Sequence, residues 1–346
     1  MNNKKWLKTL LITSTIIISF VGIINYMIDP LWCFNHKNIL NNKKVAFNER
    51  EQKTNYIYFN DKLKFDTILL GSSRTVNINQ NDFINMNVYN YAVSAMVPYE
   101  YKEYINFTKQ INPNLKNIIV GIDFFLGTNK LPSAKINYPR KYINNTTSFA
   151  YKYKMLFSKN LFNHSIKNIK LNLIENRKPY FNNNIKYWPR KSEKERIKSY
   201  NKWLKKNLYN LSDKNYTYNN NYLKLLQDLK NENKNINFII FTSPITANLL
   251  VSFIKDLDRM DDYQRWLKET ISVFGNIHHF MDINTITKNV QNYTDDNHYY
   301  PNIGKLIANK ISGKPNSDIP DDFGIILNKD NLNEYMQKFK EKIKGY

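Results

Sequence analysis

Residues 9–28 carry no charged side chain, and that run constrains the chain more than any other feature. As a helix rising ~1.5 Å per residue it is about 30 Å long, the thickness of a bilayer's hydrocarbon core. Lys4, Lys5 and Lys8 precede it, while Asp29 and Pro30 close it. That lysine bias favours a cytoplasmic N-terminus and an exported C-terminal part. Lysines deeper in the chain do not oppose this, because long domains translocate largely regardless of charge. A cleaved signal peptide is the competing reading. It needs a small-residue cleavage site, yet the first alanine is Ala46. Cys33 would suit a lipoprotein only behind a small residue, and Trp32 stands there. The expectation is an uncleaved, single-pass anchor with residues 1–8 in the cytoplasm.

The remainder of the 346 residues is long enough for one large domain or two small ones. With a single cysteine there is no intramolecular disulfide, so a packed core must hold the fold. Residues 29–60 are polar and aromatic and read as a stalk. Five short apolar runs follow, at 67–70, 88–92, 117–120, 236–241 and 279–283, and read as buried parallel strands. Helical spacing fills 99–111, 222–229 and 261–274 between them. Strands alternating with helices predict a doubly wound α/β domain over 61–346, with a mostly parallel five-stranded sheet. Residues 127–220 are rich in Lys, Asn and Tyr without strand rhythm, and read as a mostly helical insertion. Within it, 192–208 opens on a capping-type Ser-Glu-Lys-Glu. The insertion either covers one side of the site or stands out in solvent.

In such sheets ligands bind beyond the carboxyl ends of the strands. Ser73, Ser94–Ala95, Asp123 and Ser243–Pro244 all fall there. Gly71-Ser72-Ser73-Arg74 sets a hydroxyl where the first strand gives way to a helix. Asp295-Asp296-Asn297-His298 puts a carboxylate three residues before an imidazole, so one turn lets the acid hold the ring. Hydroxyl, base and orienting acid are the parts of an activated nucleophile. A serine in the first turn of a helix also has free amides nearby to stabilise charge. Alternatively, Ser72 or Ser73 merely caps that helix. Asp296 is the rival acid. His36, His164, His278 and His279 lack a comparable setting, and the adjacent pair points to opposite strand faces, a poor metal site.

Gly-Ser-Ser after a strand with a late Asp-x-x-His resembles the SGNH (GDSL-type) hydrolase superfamily. The likeness is greatest to its membrane-anchored branch of bacterial cell-envelope proteins, which includes the D-alanine transfer protein of lipoteichoic acid synthesis. It covers roughly residues 60–312 with a divergent middle, and 293–299 is its strongest stretch. The resemblance implies a three-layer SGNH-like fold, Ser73 as nucleophile, His298 as general base and Asp295 as the acid. Two positions depart from the superfamily. Its second block usually supplies a glycine, but here reads Tyr91-Ala92-Val93-Ser94-Ala95; its third supplies an Asn, but here reads Gly121-Ile122-Asp123. An ionised Asp123 would repel an oxyanion, so the amides of Ser73 and Ala95 are the expected donors. Asp123 then caps a helix or pairs with Arg74, and both are candidates to line the site.

The net charge of +22 invites a nucleic-acid reading. Lys, Asn, Ile and Tyr are raised along the whole length, as AT-rich coding would produce, and no zinc spacing, recognition helix or RNA-binding aromatic signature appears. No nucleic acid, cofactor or metal is expected. The charge instead suits a solvated lysine surface or attraction to anionic lipids and wall polymers. Three functions follow from these residues and the resemblance. One is an acyltransferase or acyl relay on a cell-surface polymer, drawing on an acyl donor. A second is an esterase acting on such a polymer. The third is a non-catalytic anchored partner of a membrane-bound O-acyltransferase.

Overall fold

The apolar runs become strands because they are aliphatic, short and shielded on both faces. The computed structural model describes residues 3–130, 139–174, 178–212 and 215–346. Helices α1 (Asn3–Ile28) and α2 (Glu49–Phe59) come first, then strands β1 (Thr67–Gly71) and β2 (Val88–Asn90). Next are α3 (Pro98–Ile111), β3 (Asn117–Ile122) and the short α4 (Phe124–Thr128). The middle holds α5 (Pro139–Thr147), α6 (Tyr151–Leu156), α7 (Lys159–Leu173), β4 (Tyr180–Asn182), β5 (Ile185–Tyr187) and α8 (Glu193–Leu211). Then come α9 (Tyr222–Asn231), β6 (Asn237–Thr242), α10 (Ala247–Val251), α11 (Met260–Phe274) and β7 (Asn276–His279). The chain closes through α12 (Thr285–Lys288), α13 (Pro301–Ser312), β8 (Ile325–Asn328) and α14 (Leu332–Gly345).

Two compact units result: Met1–Leu63 with Pro139–Pro189, and Lys64–Tyr138 with Arg190–Tyr346. Of the segment 127–220 read as an insertion, residues 131–138, 175–177 and 213–214 lie outside the described residues. Its described part is mostly helical, with β4 and β5 paired antiparallel.

In the first unit α1 is long and apolar enough to cross a membrane, and most of its side chains are exposed. The stretch read as a stalk is well packed. Gln52, Lys53, Thr54 and Asn55 of α2 are fully buried. Gln52 donates to the carbonyls of Pro30 and Val45, at 2.9 and 3.0 Å, and Asn55 donates to that of Leu31 at 3.0 Å. Those bonds offset the cost of burying amides, which otherwise runs to roughly 1–3 kcal/mol each. Burial pushes the Lys53 ammonium down to about 7, against a neighbouring Glu49 that raises it.

The second unit is built on a sheet of order β2-β1-β3-β6-β7-β8. The first five are parallel, and β8 runs antiparallel to β7. The five-stranded expectation is corrected here to six. Ile325–Asn328 is too short to show a period and follows the Asp-rich stretch Asp318 to Asp322. The last parallel strand also lies earlier than expected, at 276–279 rather than 279–283. Gly275, at φ +87°, ends α11 and turns straight into it. The strand order changes direction between β1 and β3, the crevice where open α/β sheets hold ligands.

On one face Leu69, Ile119 and Phe241 pack with Tyr293, Tyr299 and with Ile303 and Ile307 of α13. Elsewhere in the unit Phe124, Tyr263 and Trp266 meet ring to ring, and Trp266 Nε1 donates to Tyr222 Oη at 3.1 Å. Each such aliphatic or aromatic side chain contributes roughly 1.5–3 kcal/mol on burial. Glycine is required where β1 ends. A Cβ on Gly71 (φ +150°) would lie 2.2 Å from Thr75 Oγ1, and one on Gly121 would meet the same oxygen. Thr75 is therefore wedged between the ends of two strands, fixing the turn that carries Ser73.

Candidate active site

Leaving β1, the chain makes a tight turn through Ser72 and Ser73 and enters a single 3₁₀ turn, Thr75–Asn77. The sequence led us to expect a helix here. Three residues cannot supply the dipole or the row of free amides that a longer helix offers. The two serines differ in placement. Ser72 is buried; its carbonyl accepts from the Val76 amide at 3.1 Å and its hydroxyl from the Arg74 amide at 3.4 Å. Ser73 is partly exposed, and its Oγ lies 2.8 Å from Nε2 of His298.

The imidazole is held by a loop closed on itself. Tyr293 and Tyr299 form an antiparallel bridge, and the Thr294 amide donates to the His298 carbonyl at 2.8 Å. Inside it, Asp295 Oδ1 accepts from the amides of Asn297 and His298, at 2.9 and 2.8 Å. The same carboxylate contacts His298 Nδ1 at 3.0 and 3.1 Å. One side chain thus anchors the histidine by backbone and by ring. Burial opposes ionisation of Asp295, but the imidazole and these hydrogen bonds outweigh it and hold its carboxyl below the usual range. A carboxylate only accepts, so the ring proton sits on Nδ1 and Nε2 is left to accept from Ser73.

Asp296 faces elsewhere. Its Oδ2 accepts from Asn207 Nδ2 at 2.9 Å, its carbonyl accepts from the amide and hydroxyl of Thr246, and its Oδ1 is buried without a partner among the described residues. Burial pushes it up to about 7, against the Asn207 hydrogen bond, and the charge of Asp295 adds to the rise. The ring's carboxylate partner is Asp295.

Beneath this loop lies a buried ionic group. Arg74 Nη2 pairs with Asp123 Oδ2 at 2.9 Å, Nη1 donates to Asn297 Oδ1, and the guanidinium rests 4.9 Å from the Phe125 ring centre. Asp123 sits at the N-cap position of α4, but its side chain caps nothing there; it goes to Arg74. Ala95 lies at the exit of β2 with left-handed backbone, φ +55°, in a loop tied to β1 by the Val93 amide on the Gly71 carbonyl at 3.1 Å. A side chain in that region costs roughly 1–2 kcal/mol, strain usually avoided by glycine. Ser243, expected at the same sheet edge, is fully buried with a hydroxyl lacking a partner among the described residues.

Helix α8 also reaches the site. The Trp203 ring stands edge-on to His298, centroids 6.1 Å apart, and Asn207 one turn on holds Asp296. Asn297, Trp203 and Asn207 were not singled out from the sequence. Asn297 was readable as part of the Asp-Asp-Asn-His run itself. Trp203 and Asn207 sit in a Lys- and Asn-rich helix where no local signal separates them from their neighbours. His279, set aside as structural, is buried in hydrogen bonds to Thr242, Tyr263 and Tyr335, and burial holds it down to about 3. The chain matches no protein-family model and no curated protein.

Proposed function

We propose that this chain is an extracytoplasmic serine acyltransferase or acyl-relay enzyme that modifies a bacterial cell-surface polysaccharide or teichoic-type polymer through an acyl-Ser73 intermediate. The observation that carries this reading is the 2.8 Å approach of Ser73 Oγ to His298 Nε2, with Asp295 on the opposite ring nitrogen. As Ser73 Oγ attacks the donor's carbonyl carbon, His298 Nε2 takes its proton and Asp295 stabilises the imidazolium. The amides of Ser73 and Ala95 are the proposed donors to the oxyanion. The imidazolium returns its proton to the leaving group as the tetrahedral species collapses. Neutral His298 then takes the proton of an acceptor hydroxyl, which attacks acyl-Ser73, and the imidazolium gives that proton to Ser73 Oγ as the acyl–oxygen bond breaks.

Two features bear on substrate. An apolar helix of membrane-spanning length supports an enzyme kept at the cell surface. An aspartate bound to Arg74, in place of a neutral amide donor, removes one source of oxyanion stabilisation, worth roughly 10²–10³ in rate. That suits a slow enzyme dedicated to one acyl donor better than a broad esterase.

A fluorophosphonate probe tests the nucleophile. It should label the wild type and Ser72→Ala but fail on Ser73→Ala and His298→Ala. Labelling lost in Ser72→Ala and kept in Ser73→Ala contradicts the assignment. A wild type that never labels favours a non-catalytic partner of a membrane-bound O-acyltransferase. Mass analysis of ester groups on purified wall polymer separates the rest. Ser73→Ala lowers ester content for a transferase and raises it for an esterase; no change removes both readings for that polymer.

A further inference from the structure

Helix α1 does not leave its apolar run bare at the C-terminal end. The joint between α6 and α7, in the same compact unit, packs against it. Asn25 Nδ2 donates to the carbonyls of Leu156 and Ser158, at 2.7 and 3.3 Å, and its Oδ1 accepts from Ser165 Oγ at 2.8 Å. The rings of Phe20 and Phe162 lie 6.3 Å apart. Phe157 presses so closely on Gly22 that a Cβ there would sit 3.0 Å from its ring. At ~1.5 Å per residue, Gly22 is about 9 Å along the axis before Ile28, where the run ends. A helix that uses this run to cross a bilayer carries the α6–α7 joint to about that depth below the end of the run, close to the roughly 5–10 Å to which an interfacial helix sinks its apolar face.

The outward chemistry of this segment matches that depth. Phe149 is 89% exposed, and Tyr153, Phe157, Leu173 and Ile174 are exposed with it. Between Pro139 and Ile174 there is neither Asp nor Glu, and every charge from Arg140 to Lys170 is positive. Tyr58, Phe59 and residues 146–153 enclose a cavity of about 260 Å³. Over it Lys152 Nζ lies 5.0 to 5.8 Å from the ring centres of Phe59, Tyr153 and Phe34. Aromatic rings and snorkelling lysines side by side are what a membrane–water interface selects.

We infer that α5, α6 and α7 form a collar embedded in the headgroup region of an anionic bilayer where α1 emerges, with Phe149 and Tyr153 in the interface and the lysines on lipid phosphates. The collar rests on α1 spanning that bilayer. Clustered lysines are drawn to such a surface and lose that attraction when the lipid is neutral.

The full chain, carrying Cys33→Ser, is reconstituted in vesicles of phosphatidylcholine with phosphatidylglycerol. An environment-sensitive dye is placed at Phe149→Cys or, separately, at Ile16→Cys. Nitroxide lipids labelled at the headgroup should quench the Phe149 site several-fold relative to nitroxide-free vesicles, and acyl-chain nitroxides should quench the Ile16 site. Quenching at Ile16 with none at Phe149 overturns the collar and leaves the membrane span standing. No quenching at Ile16 removes the span and the collar together. Quenching at Phe149 should fall when phosphatidylglycerol is omitted; equal quenching rules out anionic headgroups as the partner.

Discussion

A single carboxylate can set a residue's role, and the adjacent aspartates show it. Against burial, the His298 imidazole and the hydrogen bonds that Asp295 accepts hold its carboxyl below the usual range, whereas Asp296 is buried with an oxygen that has no partner among the described residues. The folded pKa of Asp296, about 7, exceeds an unfolded value near 3.9. Over that window the folded state keeps a proton that the unfolded chain releases, so this group costs stability as pH rises from about 4 to about 7. Asp296→Asn keeps an acceptor for Asn207 and cannot charge. Its melting temperature should gain on the wild type from about pH 4 to about pH 7 and level off above that, and parallel pH profiles sink the assignment. On the proposed function, Asp295→Asn should instead cost about 10⁴ in acyl-transfer rate while the fold persists, because the amide no longer stabilises imidazolium. Arg74 acts through its neighbours. Arg74→Ala leaves Asp123 buried and unpaired, which costs about 3–5 kcal/mol, and Asp123→Ala on top should recover part of it. Denaturant midpoints of the two variants check this; an unchanged midpoint in Arg74→Ala contradicts it.

Among the elements, α8 ties a Lys- and Asn-rich stretch to the loop that carries His298. Ser192 and Glu195 close a capping box at its start. Beside it Lys191 Nζ donates to the Thr294 carbonyl at 3.0 Å, and Arg190 lies 4.3 Å over the Tyr300 ring. Ser192→Ala should therefore cost about 1 kcal/mol and speed hydrogen exchange in the first turn of α8. Ser192→Asp, an equally good cap, should restore protection; equal exchange in both variants contradicts the capping role. This helix was legible from its cap and its apolar spacing, which are local properties. The same holds for β1, β3 and β6, whose bounds differ from the sequence reading by one or two residues. The 3₁₀ turn after Ser73 was not legible. Its brevity follows from Thr75 being caught between Gly71 and Gly121, two glycines fifty residues apart in sequence.

For the whole molecule the first question is sidedness. Lys4, Lys5 and Lys8 before the uncharged run favour an N-terminus inside, and on that proposed topology a reporter active only outside the cell and fused at Tyr346 should be active. Activity of a cytoplasm-only reporter at that site contradicts the topology. The apolar helix near the N-terminus, the alternation of strands and helices, and Ser73, Asp295 and His298 as a set could all be read from the chain. Each depends on composition, on period, or on neighbours one turn apart. Tertiary structure alone decided the rest. Contacts between distant segments grouped 139–189 with the N-terminal 63 residues, drew α8 onto His298, and sent Asp123 to Arg74 in place of a helix cap. The spacing in the sequence already favoured Ser73 over Ser72 and Asp295 over Asp296, but it gave neither their burial nor their partners. Neighbours of identical chemistry look alike along the chain, and the surrounding fold is what buries Ser72, turns Asp296 to Asn207 and sets Ser73 and Asp295 on the imidazole.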